Sequence, residues 1–280
     1  MFDRIIQFYT AYPTVRYATV SILLIALCAA LLGVVLVLKR YSMIGDGLSH
    51  VSFGATAVAT VLGLTTPLYV ALPLTVAAAI FILKIRSSTR ISGDAAVAMV
   101  SSGALVLGYL LLNLFADEHS ASADACATLF GTGILGIDQS DVLICLILSV
   151  AVLFVFIFFY NRLFSITFDE DFAAATGTKI GFYNTLIAAI TGIAIVIAMN
   201  MLGALLVSAL IIFPALSSMR VFKTFRSVTI CAACISVSSA LIGIIVSLLS
   251  SSAIGPTVVA VDVCIFLMFY IIGMIRSRIR

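Results

Sequence analysis

Asp46 and His50 are the side chains of this sequence best suited to chemistry. They stand four residues apart in IGDGLSHVSFG, residues 44–54, between long runs of Leu, Ile, Val and Ala. At about 3.6 residues per turn, positions i and i+4 of a helix share one face. An ionised side chain in hydrocarbon costs several kcal/mol unless it meets a cavity or a partner. Two such groups on one face therefore point to a polar route through an apolar barrier. An Asp–His hydrogen bond that merely ties helices together fits the spacing equally well. Carboxylate plus imidazole is also a ligand set suited to Zn²⁺, Mn²⁺ or Fe²⁺. One chain offers two such ligands here, too few for any of these ions, whereas a two-fold dimer would bring two Asp and two His to its axis. Ser49 and Ser52 are placed to add hydrogen bonds behind the ligands.

The elements that must carry these groups are set by composition. The chain has 280 residues, 63% hydrophobic and 10% charged, with mean hydropathy +1.29. Soluble domains carry about 25% charged residues, so the solvent that suits this chain is a bilayer. The net charge of +3 is then a matter of where charges fall along the membrane, not a nucleic-acid signal. The first sixteen residues, with Asp3, Arg4, Pro13 and Arg16, lack the layout of a signal peptide and read as an amphipathic lead-in. Cys28, Cys126, Cys145, Cys231, Cys234 and Cys264 mostly lie in apolar runs and read as small packing residues. Cys231 and Cys234 form a C-x-x-C, but with no second pair and inside an apolar run.

A spanning helix needs roughly 20 apolar residues. Nine spans are expected, at about 17–38, 43–64, 66–83, 94–115, 140–160, 180–199, 200–218, 227–249 and 257–275, with eight as the alternative if one is broken or merged. The joins near Thr65 and Asn200 are the least defined. CATLFGTGILG, 126–136, is too short to cross and reads as a surface or re-entrant helix. Basic residues follow spans one, three, five, seven and nine: Lys39, Arg40, Lys84, Arg86, Arg90, Arg162, Lys179, Arg220, Lys223, Arg226, Arg276, Arg278 and Arg280, thirteen of the fifteen in the chain. Only Arg4 and Arg16 fall on the other side. Basic loops stay cytoplasmic, which places the N-terminus outside and the C-terminus inside. No segment outside the spans is long enough to be a domain, so residues 1–280 form a single transmembrane domain, all-α and polytopic.

The remaining polar groups are few. FDEDFAAATG, 168–177, has helix-start acids and an end glycine; as a loop helix it fits plain solvation as well as docking. Asp117, Glu118, His119 and Asp124 form an acidic outer loop, either solvated or attracting cations or a binding protein. Asp262 lies about 8 Å into the ninth span and must face the protein interior. Pro67, Pro73 and Pro214 mark a span start and kinks. No G-x-x-x-x-G-K-[ST] is present, and TGTKIG at 176–181 has neither its spacing nor a preceding strand.

Several stretches together resemble the permease subunits of ATP-binding-cassette importers for zinc, manganese or iron(II). GDGLSHVSFGA (45–55) is similar to that family's Gly-Asp-…-Ser-His signature. GALVLGYLLL (103–112), LFGTGILGI (129–137), GALLVSALIIFPALSS (203–218) and GPTVV (255–259) resemble further family elements, in the right order. The resemblance implies a homodimeric, type II-like permease in a bacterial cytoplasmic membrane, crossing it many times. It implies Asp46 and His50 as metal ligands in a shared path. It also implies that Phe168, Asp169, Glu170, Asp171, Phe172 and Gly177 belong to a coupling helix that docks in a cytoplasmic ATPase, with Phe168 and Phe172 as anchors. The implied partners are that ATPase, an extracytoplasmic metal-binding protein, a second copy of the chain and the lipid bilayer. Such a subunit is no enzyme: it holds no permanent cofactor, meets ATP only through its partner, and binds the divalent metal ion as cargo. Zinc is favoured narrowly over manganese by the mixed Asp/His ligands. The alternative is a self-contained proton- or cation-coupled transporter in which Asp46, His50 and Asp262 act as relay groups. An intramembrane hydrolase is disfavoured, since neither H-E-x-x-H nor G-x-S-x-G occurs.

Overall fold

A computed structural model describes residues 13–64, 66–88, 92–115, 136–250 and 252–279. Arg4, Arg90, Arg280, Cys126, the acidic group Asp117, Glu118, His119 and Asp124, and nearly all of the 126–136 segment lie outside the described residues. Among those described, the regular elements are eleven α-helices. These are α1 (Pro13–Leu38), α2 (Ile44–Val61), α3 (Leu68–Ser88), α4 (Gly93–Phe115), α5 (Gln139–Phe158), α6 (Tyr160–Phe168), α7 (Glu170–Ala175), α8 (Ile180–Leu202), α9 (Ala204–Val221), α10 (Phe225–Ser250) and α11 (Ile254–Ile279).

Seven of them, α1, α4, α5, α8, α9, α10 and α11, are long and apolar enough to cross a membrane. Each of the nine expected segments coincides with a helix, but α2 and α3 fall outside that set. In α2 the cause is composition: its eighteen residues give up apolar side chains for Gly, Ser, Thr, Asp46 and His50. Polarity is thus concentrated in the helix that carries the candidate ligands.

α1 is the axis of the bundle. Ile22, Ala26, Ala30, Val34 and Leu36 are fully buried or nearly so, as expected of a helix apolar all round. It packs against α5, α9 and α10, with α8 beside it. Ser236 of α10 donates to the carbonyl of Ala26 at 2.8 Å, adding a polar tie across this core.

Two boundaries differ from the sequence expectation. The break expected near Asn200 falls at Gly203, whose φ of 85° and ψ of 156° suit a residue without a Cβ. This single residue links α8 to α9, and the far ends of both helices meet the same layer. Asn184 near the start of α8 contacts Lys39. Just beyond the end of α9, Phe225 packs on Tyr160, Phe164 and Phe168 of α6. The chain therefore reverses at Gly203. The second difference is α6. The loop expected after residue 160 is instead a helix joined to α5 through Phe159, held down by its aromatic cluster with Phe225. Pro73 and Pro214 lie inside α3 and α9, and Pro67 sits just before α3.

Candidate functional site

Glycines decide how α2 presents Asp46 and His50. On one side α2 presses against α4. A Cβ on Gly47 would collide with Val97, and one on Gly54 would lie 2.6 Å from the carbonyl oxygen of Ala104. Gly54 in turn fits under Gly108, and Phe53 stacks on Tyr109 with ring centroids 5.4 Å apart. On the other side Gly45 lies against Ser208 and Ile211 of α9. Small residues allow such backbone approach in apolar bundles. With about 100° between successive residues, Asp46 and His50 fall in the sector between these two contacts.

The pair behaves differently from the helix around it. Gly45, Gly47, Leu48 and Ser49 are buried, whereas the Asp46 and His50 side chains remain 40% and 21% exposed. His50 Nε2 stands 3.5 Å from Asp46 Oδ2, longer than the usual N–H···O distance of about 2.7–3.2 Å. Both groups keep lone pairs that can turn to a third partner. α2 starts at Ile44, so Asp46 sits in the first turn and His50 in the second, about 3 Å and 9 Å along the helix. Among the described residues no group of three or more His, Cys, Asp or Glu gathers in one place. Among the described residues, what this place offers is one carboxylate and one imidazole.

The serines do not support the ligands. Ser49 donates to the carbonyl of Gly45 at 2.8 Å, back along its own helix. Ser52 is fully buried and its hydroxyl has no hydrogen-bond partner among the described residues. Further along α2, Phe53, Thr56, Ala57 and Thr60 open onto a cleft of roughly 430 Å³, closed by Pro67 and Leu68, Leu112, Asp141 and Ile144, and Ile197, Asn200 and Met201. Its polar atoms come from Thr56, Thr60, Asp141 and Asn200. Sequence reading singled out neither Asp141 nor Asn200, although each is an isolated polar residue at the edge of an apolar run.

The 168–177 stretch divides by role. Phe168 closes α6, Asp169 caps α7 by accepting the Phe172 N–H at 2.9 Å, and Gly177 ends the turn with φ of 79°. Phe168 and Phe172 are exposed, as is Asp171. Glu170 is half-exposed but reaches back into the protein: its Oε1 lies 2.9 Å from the ammonium of Lys39, a residue only 4% exposed. Asp262 is 1% exposed in α11, and neither oxygen accepts a hydrogen bond among the described residues. The neighbouring Ser239 hydroxyl is directed to the Ser236 carbonyl, 3.0 Å away.

Comparison with known proteins gives this arrangement a context. A sequence model of the family described as the ABC 3 transport family matches residues 11–273. The chain is 26% identical to the manganese import system permease protein ScaB of Streptococcus gordonii, over 98% of this chain and 96% of that one. It is 28% identical to the high-affinity zinc uptake system membrane protein ZnuB of Haemophilus influenzae, over 88% and 92% of the two chains. Its fold superimposes with a TM-score of 0.81 and 25% identity on a chain of PsaBC from Streptococcus pneumoniae in complex with Fab, covering 96% of this chain and 95% of that one.

Proposed function

This chain belongs to the ABC 3 transport family, and from that premise we propose that it is the permease subunit of an ATP-driven importer for a divalent transition metal ion, with Asp46 and His50 as its transient ligands. The observation that carries the site assignment is the half-open Asp46–His50 pair, set one turn apart on a helix whose neighbouring residues are buried. Two ligands are too few for zinc, manganese or iron(II), so a second copy of the chain supplies the other two across a two-fold axis. A site that must release its ion gains from ligands divided between two moving subunits.

In this reading nine helices cross the membrane, α1–α5 and α8–α11, with the N-terminus outside and the basic helix ends in the cytoplasm. The 430 Å³ cleft beyond Thr56 then opens outward, toward an extracytoplasmic metal-binding protein that delivers the ion. α7 faces the cytoplasm as the coupling helix. Phe168 and Phe172 offer it two exposed rings for a groove in a separate ATPase, while Asp169 and Gly177 shape the helix ends. The relatives named for manganese and for zinc match the mixed oxygen and nitrogen chemistry of the pair.

The test is uptake of Zn²⁺ and Mn²⁺ by the assembled transporter in vesicles. Asp46→Ala and His50→Ala should each bring uptake to background while the ATPase still co-purifies, because each removes a ligand and no packing contact. Normal uptake by both variants would end the ligand assignment. Transport by the purified chain with no ATPase present would favour the ion-coupled alternative.

A further inference from the structure

A second ion pair lies away from the metal ligands, where α1, α7 and α8 meet. Lys39 follows the last residue of α1, and its side chain is 3% exposed. Its ammonium donates to Glu170 Oε1 of α7 at 2.9 Å and to Asn184 Oδ1 of α8 at 2.6 Å. The Asn184 amide donates in turn to Glu170 Oε1 at 3.4 Å. A buried ammonium that loses its charged acceptor is destabilised, which ties the position of Lys39 to that of Glu170, with Asn184 as the second acceptor.

The backbone beyond Lys39 is short and pinned. Arg40 takes φ of 62°. Its N–H bonds to the Val37 carbonyl at 3.0 Å, and the Tyr41 N–H to the Leu36 carbonyl at 2.9 Å. This is the pairing of a Schellman motif, closed here by a residue with a side chain where glycine is the usual choice. Tyr41 is buried against Gly93, the first residue of α4, where an added Cβ would lie 2.6 Å from the ring. Ile44, fully buried, then opens α2. Six residues thus lie between Lys39 and Asp46, and the connector has no slack loop to absorb motion.

We propose that Lys39 is a positioning residue: clasped by Glu170 and Asn184, it makes the 39–43 connector carry movement of the coupling helix to the first turn of α2, where Asp46 sits. This rests on the reading of α7 as the coupling helix and gives Glu170 a function other than touching the ATPase. A push on the exposed Phe168/Phe172 face shifts α7. Glu170 moves with it and draws the ammonium, and the Schellman turn passes the shift to Ile44 and Asp46. Energy from the ATPase then reaches the metal ligands through one ion pair and five backbone residues.

The experiment is the number of Zn²⁺ or Mn²⁺ ions imported per ATP hydrolysed by the full complex in proteoliposomes. Lys39→Met should lower this ratio at least tenfold while the ATPase stays bound and hydrolyses within threefold of wild type. Glu170→Gln keeps an acceptor without the charge and should lower it about threefold. Exchanging the charges, Lys39→Glu with Glu170→Lys, should return the ratio to within threefold of wild type, since the Asn184 amide can donate to the new carboxylate; simple packing would not be restored by such an exchange. If Lys39→Met does not assemble, Glu170→Gln and Asn184→Ala give the same readout from the accessible side. Wild-type ratios in Lys39→Met and Glu170→Ala, or an exchange pair no better than Lys39→Met, overturn the proposal. Phe172→Glu separates the two layers of inference. If it releases the ATPase while the Lys39 variants keep normal ratios, only the Lys39 route fails. If it leaves ATPase binding and transport intact, the coupling-helix reading fails and takes this route with it.

Discussion

Asp46 and Asp262 are the same side chain set into two helices of one apolar bundle, and they have met opposite fates. Asp46 is half open, one turn from an imidazole, on a helix held by glycine contacts on either side of it. Asp262 is sealed, with neither oxygen accepting a hydrogen bond among the described residues. The positions one turn away on each side of Asp262 explain the seal. Val258 fits against Gly243 of α10, and Phe266 stacks edge-on to Phe213 of α9 at 5.9 Å. Asp262 therefore lies in a packing seam, whereas Asp46 lies beside one. The proposal of Asp46 as a ligand rests on this difference: its face is left open and an imidazole stands one turn away, whereas Asp262 has neither an open face nor such a partner among the described residues.

Asp46→Asn and changes in pH test the open half of the comparison. Asp46→Asn keeps the volume and removes the ligand charge. It should lower metal occupancy of the assembled transporter by about a hundredfold, at the upper end of what loss of a supporting residue costs a metal site, as read by metal content after dialysis. Unchanged occupancy would place the ion elsewhere. The next effect is from pH. A protonated imidazole cannot ligate, so occupancy is greatest once the imidazole has lost its proton and falls as the medium becomes more acid. The expected slope is about tenfold per pH unit for each imidazole engaged, and a slope near two would count the histidines of both copies. A flat titration curve would remove His50 from the ligand set.

How far the sequence revealed this contrast depended on the kind of information required. The i, i+4 spacing of Asp46 and His50 places them on one face, and the structure has them there, because helix geometry is local. The long apolar segments likewise coincide with helices. What spacing cannot carry is rotational phase and partner choice. Ser49 faces the right region but gives its proton to Gly45. Glu170 sits in an acidic run that reads as solvated, yet it reaches a lysine 131 positions earlier in the chain. Gly203 ends α8 through a φ value that one glycine among many does not announce. The sequence turns Asp262 to the protein interior, but the contacts at Gly243 and Phe213 that close around it are not legible there. In each case the deciding neighbour or backbone angle belongs to tertiary structure.

The two glycine contacts on α2 offer a milder way to disturb the open face without touching a ligand. A Cβ at Gly54 meets a backbone carbonyl, which cannot turn aside as a side chain can, so Gly54→Ala should force α2 away from α4. The expected cost is about 1–3 kcal/mol of stability, with a severalfold loss of uptake, seen as a lower thermal midpoint in detergent. Gly103→Ala, where the added carbon meets nothing within 4 Å, should leave both unchanged; equal effects at the two sites would mean that close approach is not what holds the pair. The smallest effect belongs to Asp262. Replacing an unpaired buried polar group by an apolar one of similar size removes a desolvation cost without losing a bond. Asp262→Leu should therefore keep uptake within about twofold and hold or raise the thermal midpoint. A collapse of transport in this variant, with the protein still folded, would show that the sealed carboxylate is reached during the cycle, and the distinction between the two aspartates would then be one of timing.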